Sequence, residues 1–426
     1  MQLEWDPEID TPATIAVIGG GPVGVEAALY ARFLGYSVLL LDAAKVGHRP
    51  LAWGASPLPL PWGEATSSLG LAALAAQTTA KDLPPAEQRV SYAEYVERYL
   101  LPLARTDLLY DAVHIHSPVR SVSRTSCGVD SPPSLERRAE QEFRLLIDSQ
   151  QRGEYTQLAD IVLDCSGVGP AQGLATGGGL AVGETGLWDA LRLGKIDVLG
   201  KFRADFAGRH TLLFGSDAAA CANALDFAQL VAAEQATPEQ ANPEQANPEQ
   251  ANPEQANPGL KNTGQEGAAQ GETRLTWVLP KRIGVQGNLL TVPRGDFAEL
   301  ERAAGQLIAA GDPRLVVLPA WGIETLARPQ QWAVRLQVGE DETLDLSCDE
   351  LIHCGRPAAD WSFTHGLITD AKGTHCVTPE PHYYVLGQKA LGPTQACTFR
   401  DARQQIREVF ALIGGREDLD LYQIVR

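Results

Sequence analysis

Thr14-Ile-Ala-Val-Ile-Gly-Gly-Gly-Pro-Val-Gly24 and, one helix later, Ser37-Val-Leu-Leu-Leu-Asp42 decide the fold. The apolar, β-branched run Thr14–Gly19 has the pattern of a strand buried in a parallel sheet. Val23–Phe33 carries apolar residues at helical spacing and closes at Gly35, and Ser37–Leu41 is a second apolar strand. Strand, glycine turn, helix and strand in about 30 residues form a βαβ unit. In that context Gly19, Gly21 and Gly24 fit GxGxxG. Gly19 permits the tight turn, Gly21 lets backbone approach a pyrophosphate, and Gly24 lets helix and strand pack closely. Pro22 and Val23 open a helix whose N–H groups and dipole favour an anion. Asp42 ends the next strand, where a carboxylate accepts the ribose hydroxyl protons of an adenosine. A glycine turn without a ligand is the plain alternative. The strand, the helix and the spacing to Asp42 together favour a dinucleotide.

A chain of 426 residues is too long for one ordinary domain, so two are expected. Downstream of Asp42, the Pro-, Gly- and Trp-rich text from Lys45 to Gly70 reads as irregular loop. Tyr92–Ala104 reads as helix, Val113–Arg124 and Glu142–Asp148 as strands, and Thr156–Cys165 as one apolar run closing on Ser166-Gly167. A second cycle then begins near Phe206: strand His210–Phe214, a turn at Gly215, helix Ala218–Ala233 and strand Thr273–Leu279. Phe297–Ala310 is helical, Arg314–Leu318 extended, and Trp332–Val338 with Thr343–Ser347 resembles a hairpin before the strand Leu351–Gly355. Tyr383–Leu386 and a helix at Phe399–Leu412 end the pattern. Between the cycles, Ala-(Thr/Asn)-Pro-Glu-Gln recurs from Ala236 to Pro258. Proline at every fifth position blocks a helix and no apolar face exists, so residues 235–272 read as a disordered surface insert.

The formal net charge of −18 argues against nucleic acid or an anionic membrane as partner, since both demand a basic footprint. No stretch of about 20 apolar residues spans a bilayer, and the acidic amino terminus lacks a signal core. The seven cysteines form no CxxC pair and no zinc-ligand cluster, which suits reduced thiols in a cytoplasmic protein. Thioredoxin-reductase chemistry needs two exchanging thiols and is therefore not expected. Cys165, among apolar neighbours, reads as buried and inert.

With its loop at Gly19–Gly24, the strand Ile161-Val-Leu-Asp-Cys-Ser-Gly167 and the strand Tyr383-Tyr-Val-Leu-Gly387, the chain resembles the flavoproteins with two dinucleotide-binding domains. These include thioredoxin-reductase-like enzymes and flavin-containing monooxygenases. Leu51–Gly54, Pro61-Trp62, Tyr99–Ala104, Gly178–Glu184 and Tyr384–Gly392 are similar to a bacterial group of FAD-dependent oxidoreductases. The resemblance implies an α/β fold of two Rossmann-like, three-layer domains, the second inserted in the first. The implied FAD-binding domain comprises 12–195 and 361–426, with an NAD(P)H-binding-like domain at 196–360.

It also implies FAD contacts from Arg49, Trp53, Val119, Ser166, Gly167, Gly387 and Gln388, in addition to Gly19, Gly21, Pro22, Val23, Gly24 and Asp42. The group usually carries Glu where this chain has Asp42, and often Asp where it has Gln388. For NADPH, the implied residues are Gly215, Ser216, Ala220, Lys281, Arg282 and Gly355. Here Asp217 is a departure, because it sets a negative side chain where a pyrophosphate approaches.

The implied activity is hydride transfer from NAD(P)H to flavin and on to oxygen or a small-molecule substrate, including monooxygenation. The monooxygenase fingerprint FxGxxxH is only partly present, since His210 follows Phe206-Ala-Gly208 too early. Two alternatives stay open: a thiol-free reductase of a small disulfide or quinone, and a flavin-binding protein with a decayed nicotinamide site. A homodimer fits the resemblance. No catalytic residue is assigned, although His48, Arg49, Trp53, Trp62 and Lys389 are candidates near a flavin.

Overall fold

Alternation along β1 (Thr14–Ile18) sets the layering. Ile15 and Val17 belong to one apolar cluster, Ala16 and Ile18 to another, so the strand is covered on both faces. The computed structural model describes residues 3–77, 83–129, 134–236, 271–281, 290, 297–355, 357–369, 376–392 and 397–424. The expected repeat insert, but for Gln235, Ala236, Gly271 and Glu272, lies outside them, as does Arg282.

After β1 the chain forms α1 (Pro22–Phe33), β2 (Ser37–Leu41) and β3 (Val113–His114). An antiparallel meander follows, β4 (Val119–Arg124), β5 (Phe143–Ser149) and β6 (Gly153–Ala159), then β7 (Ile161–Asp164). A linker strand β8 (Val168–Pro170) leads to β9 (Arg192–Leu193), β10 (His210–Gly215), α2 (Ala218–Ala236), β11 (Arg274–Pro280), α3 (Ala298–Ala310) and β12 (Leu315–Ala320). A second meander comprises β13 (Gly322–Ala327), β14 (Trp332–Gln337) and β15 (Thr343–Cys348), and β16 (Glu350–Cys354) follows it. The return linker β17 (Pro357–Ala359) precedes β18 (Tyr383–Val385) and α4 (Phe399–Ile413).

Two five-stranded parallel sheets result, ordered β18-β7-β1-β2-β3 and β12-β11-β10-β16-β9. Each has helices on one face and a meander on the other. In the first, Val25 of α1 and Phe410 of α4 pack on one side, and Val122 and Leu145 of the meander on the other. In the second, Phe227 of α2 and Ala304 of α3 oppose Trp332 and Leu336. The same three-layer unit is thus built twice. The chain leaves the first sheet by β8 and returns by β17, and these pair antiparallel with Ala358 opposite Gly169. The second unit is therefore inserted in the first. β9 pairs with β16, which puts Arg192–Leu193 in the second sheet, upstream of the expected division at 195.

The two units differ from the sequence reading in local detail. Thr156–Cys165 is not one strand: Asp160 breaks it, its carboxylate accepting the Thr14 N–H at 2.7 Å, and the halves join different sheets. The Lys45–Gly70 stretch is not all loop, since it holds short helices at His48–Leu51 and Trp62–Ala65 and the start of Ser68–Ala75. Helices of four residues show no periodicity, and proline and glycine disguise them. The expected hairpin has a third strand, β13. Away from the sheets, Glu380 pins the fold from within, paired to Arg124 at 2.7 Å and Arg138 at 2.8 Å with all three side chains buried.

Candidate functional site

The first glycine turn lies at the carboxyl ends of β1 and β7, where an open α/β sheet builds its ligand crevice. A cavity of about 1070 Å³ lies there, just above the roughly 300–1,000 Å³ usual for small-molecule pockets. Gly19 has φ +110°, and a Cβ on it would stand 2.6 Å from the Cys165 carbonyl oxygen. A Cβ on Gly24 would stand 1.8 Å from the Gly19 carbonyl oxygen. Both are required by packing. Gly21 is different: its φ of −78° suits any residue, and a Cβ there would meet nothing within 4 Å. With Pro22 and Val23 it borders the cavity. No side chain caps α1, so its first N–H groups lack intrahelical partners and its positive dipole end faces the cavity.

Asp42 stands beside this turn. Its Oδ2 accepts the Gly20 N–H at 2.6 Å and its Oδ1 the Ala44 N–H at 2.7 Å. These bonds orient the carboxylate, and each oxygen keeps capacity for a further donor. Arg49 reaches across to the strand connection opposite, donating from Nη1 to the Ser166 carbonyl at 3.1 Å and to the Val168 carbonyl. Burial pulls its guanidinium below the usual arginine range, while Asp42 and Asp360 oppose the shift.

Behind Ser166 lies a buried ion pair. Asp164 accepts from Lys389 Nζ at 2.6 Å, Tyr383 OH at 2.7 Å and Ser166 Oγ at 2.6 Å. Lys389 also donates to the Asp360 carbonyl at 2.5 Å and lies 4.1 Å from the Trp361 ring centroid. Its ammonium points into this wall and does not border the cavity. The Gln388 amide is likewise engaged by its own loop, donating to the Gly392 carbonyl at 2.7 Å and accepting the Cys397 N–H at 2.9 Å.

Of the residues expected around FAD, all but Gly24 and Trp53 border this one cavity: Gly19, Gly21, Pro22, Val23, Asp42, Arg49, Val119, Ser166, Gly167, Gly387 and Gln388. Gly24 lies within the helix–strand contact. Trp53 stands one layer back, its ring 5.2 Å from Tyr92 and 6.1 Å from Phe297, which do border the cavity. His48 borders it too, whereas Trp62 is a core residue packed on Tyr95 and Tyr99. Cys165 and Cys397 line the wall, but burial pushes Cys165 well above the usual thiol range and Cys397 up to about 12.

Sequence reading missed Asp360, Ser362 and Phe363, which enter from the return linker without any periodic pattern. It also missed Thr398 at the start of α4, although the capping box Thr398–Asp401 is a readable signal. Among the described residues no group of acids, histidines and cysteines could hold a metal, and no helix is long and apolar enough to cross a membrane.

Gly215, Ser216, Ala220, Lys281 and Gly355 are all absent from the 1070 Å³ cavity. Ser216 and Ala220 are buried, and Gly355 packs on His353, whose ring a Cβ would meet at 2.0 Å. Lys281 Nζ donates to the Val338 carbonyl at 2.6 Å.

No family model and no curated protein matches the chain. Solved structures do. A bacillithiol disulfide reductase from Bacillus cereus aligns over 96% of this chain and 100% of its own at 12% identity, with a TM-score of 0.58. The FAD-bound cadaverine monooxygenase of desferrioxamine biosynthesis from Erwinia amylovora covers 96% of each chain at 12% identity, TM-score 0.60. A thioredoxin reductase from T. acidophilum covers 94% of this chain and 99% of its own at 14% identity, TM-score 0.51. The chain has the two-domain fold that thioredoxin-reductase-like enzymes and flavin monooxygenases share.

Proposed function

We propose that the protein is an FAD-dependent oxidoreductase acting on a small molecule bound beside the flavin in the 1070 Å³ cavity. The observation that carries this reading is Gly21, a helix-opening residue whose missing side chain exposes backbone to the cavity without any packing need for glycine. The donor set suits FAD along its length. The first N–H groups of α1 would hold the diphosphate, and Asp42 the adenosine ribose. Val119 would meet the adenine, while Ser166, Gly167, Gly387 and the start of α4 would flank the flavin end. Bound flavin supplies one- and two-electron chemistry.

The chain's own residues orient the ligand and shield it from water. Arg49 sets a cation at the cavity, fixed by two carbonyls. With the thiols of both wall cysteines pushed up, dithiol exchange with a substrate disulfide is disfavoured. Monooxygenation, with oxygen as acceptor, is the reaction favoured by resemblance; reduction of a quinone or small disulfide without a protein thiol is the alternative. NADPH is the donor that the resemblance suggests, and the second turn bears on that directly. Titrating the full chain with FAD and reading the shifted flavin absorption tests the proposal. Saturation near one FAD per chain is expected, and failure to take up FAD would refute it.

A further inference from the structure

The second glycine turn stands at the same place in its sheet as the first, and carries a carboxylate, Asp217, two residues after its opening glycine. Gly215 stands to Cys354 as Gly19 stands to Cys165, with φ +141° and a would-be Cβ 1.7 Å from the carbonyl oxygen. Each glycine ends the central strand of its sheet, and each is followed by a helix. Two residues on, the first turn presents Gly21, which has no side chain. The second presents Asp217, whose carboxylate turns back on α2: Oδ1 accepts the Ala220 N–H at 2.9 Å, and the Ala219 amide bonds to it as well. The helix-opening amides that a diphosphate would use are thus already bonded to an anion of the chain itself. A diphosphate there would have to displace that carboxylate, and at close range would meet its charge in a low-dielectric setting. Of the two basic residues expected at this site, the one that is described, Lys281, donates to the Val338 carbonyl.

We infer that Asp217 occupies the anion seat of the second turn, so that this turn holds no nicotinamide dinucleotide. Electrons then reach the proposed flavin from a donor bound elsewhere. The inference concerns the second sheet alone and stands whether or not FAD fills the first cavity.

Isothermal titration of the full chain with NADPH and with NADH tests it, with bound flavin read from absorbance on the same samples. Wild-type protein is expected to show no saturable binding below about 1 mM. Asp217→Gly and Asp217→Ala are expected to bind NADPH at least about tenfold more tightly than wild type. Loss of the cap weakens the helix start, less in Asp217→Gly than in Asp217→Ala, so melting temperature verifies that both are folded. A micromolar dissociation constant for the wild type overturns the inference, and so does the absence of any gain in both folded variants. Protein that binds FAD and refuses NADPH leaves the proposed function intact, whereas protein that takes up no FAD on titration yet binds NADPH sinks both.

Discussion

Replacing Gly21 with leucine separates ligand binding from folding, because the structure assigns this glycine no packing role. Its backbone, at φ −78° and ψ −177°, accepts any residue, and no protein atom lies within 4 Å of the added Cβ. The apo protein should therefore keep its stability or gain slightly, since removing a glycine from the unfolded ensemble is worth about 0.4–1 kcal/mol in the Gly→Ala case. The bound state should suffer instead. Ligand at a hundred times its dissociation constant stabilises a fold by about 2.7 kcal/mol, and Gly21→Leu forfeits that increment by filling the phosphate seat. Gly24→Ala is the contrasting control. Its Cβ would lie 1.8 Å from the Gly19 carbonyl oxygen, so helix and strand must separate with or without ligand. The assay is thermal unfolding with and without added FAD, together with flavin absorbance after gel filtration. Wild type should melt higher with FAD, Gly21→Leu should melt at one temperature regardless, and Gly24→Ala should melt low in both. Gly21→Leu protein that retains one FAD per chain would refute the reasoning, because the turn would then not touch the diphosphate.

Burial pushes the Asp217 carboxyl from its usual 3.8 up to about 6, against opposing amide hydrogen bonds. The folded state holds that proton more tightly than the unfolded, so this contribution to stability is complete below pH 3.8 and is lost as pH rises through about 6. It amounts to about 3 kcal/mol, and Asp217→Asn should flatten that part of the denaturant-derived stability profile; an unchanged slope would contradict the burial. Lys389→Met removes the cation paired with the buried Asp164 and should cost both FAD affinity and stability, by about 3–5 kcal/mol. Adding Asp164→Asn should recover much of the loss in a double-mutant cycle, and strict additivity would show that the pair is not coupled. Glu380→Ala strands two buried arginines and should destabilise by a similar 3–5 kcal/mol or so, read from urea unfolding; a loss under about 1 kcal/mol would mean that the cations find other partners.

What was legible in the sequence is what the backbone dictates locally. Gly19 and Gly24 are forced by carbonyl oxygens within 2.6 Å of where a Cβ would be, so the turn, its flanking strands and the helix could be read from a few consecutive residues. The strand, turn and helix of the second cycle were readable in the same local way, and Gly215 packs against Cys354. The cavity's far wall was not readable, because its pieces meet only in three dimensions. Asp164 and Lys389 are 225 positions apart, and neither Tyr383 nor Asp360 carries a local signal of its role. Asp217 lies between these cases. Its charge was plain in the sequence, but a carboxylate at a helix start can repel a ligand's phosphate or stand in for it, and only the bond to Ala220 decides which. Two turns at equivalent places in their sheets thus differ in that a side chain of the second, Asp217, takes a helix-opening donor, whereas no side chain caps the helix of the first. If Asp217 keeps the second seat for the chain itself, as inferred, then Gly21, which places no side chain over the opening of the first helix, leaves the first seat to a ligand.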